Sequence, residues 1–227
     1  MGVLDSIYLA FCLISVSFIS MLLIYLKLFE ENSFFAITFV GTIIFYNLGL
    51  KGILPLLFFV FSSIFWGSFR KRKHNPRNYK QVLANGLIPA ILSFFNYHLF
   101  LASLCALISD TWSSEIGISF SKEAYSLRGF KKVKPGESGA VSFLGTMGGL
   151  FGAIIFSFFS LKKIYIIPLI ISGFISNLLD SFMGAYLERK YKFFTSDLIN
   201  FLISIISPVI FWILVKLLSP QTLACKK

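Results

Sequence analysis

The sequence predicts an all-α, polytopic integral membrane protein with about eight transmembrane helices, some of them short or broken. Three observations carry that prediction. First, 56% of the 227 residues are hydrophobic and 18% aromatic, including 28 Phe, while only 14% are charged. A soluble domain keeps roughly 25% Asp, Glu, Lys and Arg, so a soluble globular or disordered chain is excluded. Second, the apolar residues form long runs containing Gly and Pro, with no period-2 alternation, which also excludes an outer-membrane barrel. Third, the 21 Lys and Arg cluster in a few stretches between those runs. Cys12, Cys105 and Cys225 lie far apart, so neither a disulfide framework nor a Cys metal site is encoded.

About 20 apolar residues cross a hydrocarbon core of roughly 30 Å, and fewer suffice where the bilayer thins. Apolar runs between polar breaks predict helices over 6–28, 33–50, 53–69, 82–96, 98–118, 140–160, 164–187 and 198–218. The first run lacks a basic start and a small-residue cleavage site, so it reads as a retained helix rather than a signal peptide. Met1-Gly2-Val3-Leu4-Asp5-Ser6 fits the myristoylation pattern, which an outside N-terminus makes a coincidence. Residues 82–118 are too long for one span, and Asn96-Tyr97-His98 is the polar break within them. The chain reads as a single multi-pass domain, 1–227, with an N-terminal three-helix part (1–69) and a motif-bearing core (82–218).

Charge placement tests the count. With eight spans, the connections near 29–32, 70–81, 119–139 and 188–197 share one side and hold most of the Lys and Arg. Cytoplasmic loops carry that excess, so this side is expected in the cytosol. Merging the fourth and fifth helices would put the two most basic loops on opposite sides.

Asp110, Glu115 and Asp180 lie within or at the cytosolic ends of apolar segments. A carboxylate there is costly and marks a functional site or an internal ion pair. In a continuous helix Asp110 and Glu115 are about 140° apart around the axis. They can share one metal only if the helix is distorted, whereas Asp110, Ser114 and Gly117 share a face. The alternative is that the acids pair with buried basic residues.

The loop that follows carries Arg128, Lys131, Lys132 and Lys134, then Pro135-Gly136 and Ser138-Gly139, and reaches Ser142. Cations plus exposed backbone N–H groups at a helix start are what a polyphosphate needs, although no Walker motif is present. A solvated positive-inside loop touching anionic lipid is the plainer reading. In the next helix Gly145, Gly148, Gly149 and Gly152 have the small-xxx-small spacing of close helix packing. In the seventh, Ser172, Ser176, Asp180 and Gly184 recur every four residues, flanked by Asn177 and Ser181, giving one polar, small face. His74 and His98 lie away from the acids, so no Ser-His-Asp arrangement or His metal site follows. Carboxylates beside cations suit Mg²⁺ with phosphate.

These motifs resemble the integral membrane family called domain of unknown function 92, which includes transmembrane protein 19 and the plant phytyl-phosphate kinase. The matching stretches are Phe58–Ser63, 81–86 (with Asn85), Ser109–Gly117, 132–136, 139–146, 180–185 and Asn200-Phe201. The family commonly has an acidic residue and Trp where Asn78 and Tyr79 stand, and an Asn where Leu198 stands. A more distant likeness is to dolichol kinase and CTP-dependent phosphatidate cytidylyltransferases. The resemblance implies a nucleotide-dependent kinase, using CTP, that converts an isoprenoid monophosphate such as phytyl or geranylgeranyl phosphate to its diphosphate.

On that reading Asp110, Glu115 and Asp180 would hold Mg²⁺, with Lys132 beside them as the fourth catalytic residue. Arg128, Lys131, Lys132, Lys134, Gly136, Gly139 and Ser142 would bind the nucleotide's phosphates. Asn85, Ser114, Asn177 and Ser181 are further polar candidates. Partners would be the nucleoside triphosphate, the lipid phosphate and the bilayer, with no nucleic acid. The rivals are an ion-coupled transporter whose membrane acids hold the ion, and a CDP-lipid-forming or polyprenol kinase enzyme.

Overall fold

The computed structural model describes residues 2–70, 76–188 and 190–224. Among them the helices are α1 (Val3–Tyr25), α2 (Phe34–Leu48), α3 (Leu50–Gly67), α4 (Tyr79–Ser93), α5 (Tyr97–Phe120), α6 (Phe143–Ser157), α7 (Ile166–Met183) and α8 (Ser196–Ala224). Each falls on a predicted apolar run, and the all-α membrane class stands. Four stretches are long and apolar enough to cross a membrane alone: Val3–Tyr25, Leu50–Gly67, Lys163–Glu188 and Ser196–Leu218. α2, α4 and α6 have 15 residues each, about 22 Å at roughly 1.5 Å per residue. That is short of a core of about 30 Å, so these three depend on their neighbours.

α5 is the axis of the bundle. It packs against α3, α4, α6, α7 and α8, and every residue from Phe100 to Ser109 is buried. A helix apolar on all sides belongs inside. Two of its buried hydroxyls are satisfied across helices: Ser103 Oγ donates to the Ser204 carbonyl at 2.8 Å and Ser109 Oγ to the Gly149 carbonyl at 2.9 Å. α1 packs on α2 and exposes Leu4, Ile14 and Phe18, a surface suited to lipid rather than water.

Asn96, the polar break between the fourth and fifth runs, is the N-cap of α5 and accepts from His98 N–H at 2.8 Å. Ending α4 and capping α5 there turns the chain back. The α6 glycines serve packing, as their spacing suggests. A Cβ on Gly145 would meet the Ser113 carbonyl at 2.8 Å, and one on Gly152 the Trp112 ring at 3.1 Å.

The connection after α5 is not a plain loop. It forms a small antiparallel sheet of order β2-β1-β3, from β1 (Ala124–Ser126), β2 (Lys132–Val133) and β3 (Ala140–Val141). Strands of two or three residues are too short to leave an alternating pattern in sequence. Gly129 and Phe130, with φ of 81° and 50°, make the β1–β2 turn.

The connections after α1, α3, α5 and α7 meet at one end of the bundle. Phe29 bridges Arg77, Arg70 reaches Glu115, and Ser138 Oγ donates to the Gly184 carbonyl at 3.1 Å. Opposite contacts close the other end: Asn47 Nδ2 donates to Ser93 Oγ at 2.9 Å, and Tyr97 OH to the Phe159 carbonyl at 2.9 Å. Lys71, Arg72, Lys73 and Arg189, part of the charge argument, lie outside the described residues, as do His74, Cys225, Lys226 and Lys227.

Candidate active site

A cavity of about 510 Å³ opens where those connections meet, walled by α4, α5, the β-sheet segment, α7 and α8. Asp110 from α5 and Asp180 from α7 both line it, and their carboxyl groups lie within hydrogen-bonding reach of each other. Two carboxylates so placed repel unless a proton or a cation joins them. The recurring small face of α7 explains how Asp180 gets there. Ser172 and Ser176 are fully buried and Gly173 abuts Cys105 on α5, so the two helices approach closely.

Glu115 does not join the pair. It faces Arg70, with Nε–Oε2 at 2.5 Å and Nη2–Oε1 at 2.8 Å. α5 is unbroken from Tyr97 to Phe120, so the angle of about 140° between Asp110 and Glu115 is kept. The expected three-acid metal set is therefore not assembled, and among the described residues no cluster of three His, Cys, Asp or Glu is arranged around one ion. Asp110 and Asp180 still suit Mg²⁺, which takes one or two carboxylates and completes its shell with water and phosphate oxygens.

The basic segment divides in two. Gly136, Gly139 and Ser142 line the cavity. Arg128, Lys131, Lys132 and Lys134 are exposed and outside its lining, so the expected grip of these four on phosphate is not formed. The sheet is the reason: the β1–β2 hairpin turns its cations to the surface. There Lys132 pairs with Glu123, which lowers the Glu123 carboxyl and raises the Lys132 ammonium from their ordinary values.

Gly139, at φ 69°, lies against the backbone of Ala185, in a π-helical turn (Gly184–Glu188) that widens the end of α7. The same Ser138 hydroxyl also contacts the Glu188 carboxyl, its one proton shared between the two acceptors, so the sheet segment is fastened to the end of α7. Ser142 caps α6 by accepting from Gly145 N–H at 3.1 Å. Of the remaining candidates, Asn85, Ser114 and Ser181 line the cavity. Asn177 is buried against Gly149 and does not.

Several lining residues were not singled out from sequence: Arg70, Arg77, Gln81, Glu188, Asp197 and Asn200. For two of them a signal existed. Arg77, Gln81 and Asn85 follow one another every four residues; Gln81 and Asn85 share a face of α4, and Arg77 precedes the helix as the bridge partner of Phe29. Arg77 Nη2 donates to Ser63 Oγ at 2.9 Å. Burial lowers its guanidinium from the ordinary value, and Glu115 opposes that shift.

Among the described residues, the charged groups of the lining are Asp110, Glu115, Glu137, Asp180, Glu188 and Asp197 with Arg70 and Arg77.

Residues 14–206 match the family described as Integral membrane protein DUF92. An uncharacterized membrane protein of Methanocaldococcus jannaschii is 31% identical over 188 residues, covering 75% of this chain and 79% of that protein. Protein VTE6, chloroplastic, of Arabidopsis thaliana is 31% identical over 148 residues, 58% of this chain and 44% of that protein. Protein PGR of the same plant is 35% identical over 95 residues, 35% of this chain and 33% of that protein. No solved structure is significantly similar to the chain.

Proposed function

The chain belongs to the DUF92 family of integral membrane proteins, and from that membership and its cavity we propose a membrane-embedded phosphotransferase. It transfers the γ-phosphoryl group of a nucleoside triphosphate, CTP by the family resemblance, to an isoprenoid monophosphate. The observation that carries this reading is the Asp110–Asp180 pair facing into a polar cavity at a helix-bundle end. Phosphoryl transfer asks little covalent chemistry of a protein; it asks for positioning and charge compensation.

Asp110 and Asp180 would hold Mg²⁺, which would supply charge neutralisation to the nucleotide's phosphates. Arg77 draws the acceptor phosphate in and offsets its charge. The backbone N–H groups of the 136–139 turn orient the nucleotide, and Ser114 and Ser181 offer neutral donors beside the two acids. The acceptor's phosphate oxygen attacks the γ-phosphorus, that P–O bond forms, and the bond to the β-phosphate oxygen breaks. A phosphate acceptor is already ionised near neutral pH, so no dedicated base is needed. The Lys and Arg excess of the sequence in the connections at this end supports reading it as the cytosolic side, where nucleotides are.

The test is purified protein in detergent with Mg²⁺, geranylgeranyl monophosphate and CTP labelled at either the γ or the α phosphorus. The expected product is a diphosphate that carries the γ label only. An α-labelled lipid would instead make the protein a CDP-lipid-forming enzyme, and no labelled lipid with CTP, ATP, GTP or UTP would remove the kinase reading.

A further inference from the structure

A second, apolar groove of about 80 Å³ lies between α1, α2, α3 and α4. Its walls are aliphatic and aromatic, among them Val16, Ile37, Leu57 and Phe59. Arg77, Gln81 and Asn85 line this groove and the polar cavity alike. Arg77, just before α4, and Gln81 and Asn85 on it thus form the border between a greasy slot and a charged chamber.

We propose that the groove holds the head-proximal part of the acceptor's single apolar chain, while Arg77, Gln81 and Asn85 hold its phosphate at the border. This rests on the kinase reading for the acceptor's identity but adds where it binds. Arg77 is fixed for the task. Its carbonyl accepts from Glu30 N–H at 2.9 Å and Ser33 Oγ at 3.0 Å, and its guanidinium sits 5.8 Å from the Phe59 ring centre. The backbone anchors set the charge at the groove's mouth with little entropy left to lose. Among the described residues the Asn85 side-chain oxygen is buried with no hydrogen-bond partner; as an acceptor it asks for a donor, which a water carried in with the phosphate or a protonated phosphate oxygen supplies.

The groove is the smaller of the two spaces, about 80 Å³ against about 510 Å³ for the polar cavity, so only the first part of one chain is seated there.

The experiment uses a geranylgeranyl monophosphate analogue with a diazirine in its first isoprene unit, crosslinked to the purified full-length protein in detergent without nucleotide. Labelled peptides are mapped by mass spectrometry. We expect label within residues 37–60 and 77–86, with yield reduced at least fivefold in Leu57→Trp and unchanged in Leu178→Trp on the outer face of α7. Ile37→Trp serves if Leu57→Trp misfolds. Unlabelled geranylgeranyl monophosphate should compete at least tenfold better than dioleoyl phosphatidic acid. Label confined to α6, α7 or α8, groove-filling variants that label like wild type, or equal competition by the two-chain lipid would each overturn the proposal. Label in the groove without nucleotide-dependent diphosphate formation removes the kinase and leaves the groove. Diphosphate formation with label elsewhere does the reverse.

Discussion

Arg70, just past α3, and Glu115, on α5, form a two-pronged ion pair across 45 residues of sequence, with contacts of 2.5 and 2.8 Å. The Glu115 side chain is 6% exposed and that of Arg70 24%. Removing one member of a buried pair costs about 3–5 kcal/mol, because the other charge is left without its partner. The partial exposure of Arg70 reduces this to about 2 kcal/mol. Glu115→Gln should therefore lower the thermal midpoint in detergent by about 4–8 °C, and Arg70→Met with Glu115→Leu should recover at least half of that. A Glu115→Gln protein with unchanged midpoint but a raised Mg²⁺ requirement would return Glu115 to the metal.

The neighbouring pair predicts the opposite pattern. Asp110 and Asp180 line a cavity and, among the described residues, form no ion pair with a cation, so losing one charge should relieve their mutual repulsion and not unfold the protein. Asp110→Asn and Asp180→Asn should each lower γ-phosphoryl transfer at least about 100-fold, roughly 2.7 kcal/mol of barrier. Their midpoints should equal or exceed that of wild type. Mn²⁺ binding followed by water-proton relaxation gives a readout independent of turnover, and wild-type affinity in both variants would assign the pair to structure.

The basic segment and Arg77 can be separated by two substitutions. Lys132 is at the surface with Glu123, so Lys132→Ala should change turnover by less than about twofold, under roughly 0.4 kcal/mol. Arg77→Ala removes a cation that lines the cavity and should cost at least about tenfold, roughly 1.4 kcal/mol. Reversed sizes in a γ-labelled CTP assay would restore Lys132 as the phosphate ligand.

The meeting of four connections at one end carries a topological prediction. Lys122→Cys and Ser196→Cys should react with a membrane-impermeant thiol reagent from the same side of a sealed vesicle, and Lys163→Cys from the other. Labelling of Lys122→Cys and Ser196→Cys from opposite sides would end the eight-span topology, and a cytosolic shared site with it.

The helices were legible because apolar length is a local signal, and Asn96 marked the turn between α4 and α5 by being a capping residue in the middle of a greasy run. Asp110 and Asp180 were legible because intramembrane acids are rare and expensive. The partner of Glu115 was not, since nothing local ties residue 115 to residue 70. The fate of Lys131, Lys132 and Lys134 turned on a sheet too short to leave a pattern, so charge density suggested a ligand site that the hairpin points away from the cavity. Arg77 read as one more topology cation, although its step of four to Gln81 and Asn85 was there to be seen.

The sheet segment and α7 meet at Gly139, and this contact should matter more than the turn that supports the hairpin. Gly129 and Gly139 both have positive φ, 81° and 69°, so Ala at either position costs about 1–3 kcal/mol of backbone strain. Their surroundings differ. A Cβ on Gly129 would meet open space, whereas one on Gly139 would collide with the backbone and side chain of Ala185. Backbone cannot swing aside as a flexible side chain can, so Gly139→Ala must lift the segment from the π-helical turn below Asp180. Gly129→Ala should lower the thermal midpoint modestly and keep turnover within about twofold, or roughly 0.4 kcal/mol of barrier. Gly139→Ala should lose more stability and at least about tenfold in turnover, or roughly 1.4 kcal/mol, with protease cleavage between residues 127 and 138 accelerated. Equal losses in the two variants would show that the segment's hold on α7 does not shape the cavity.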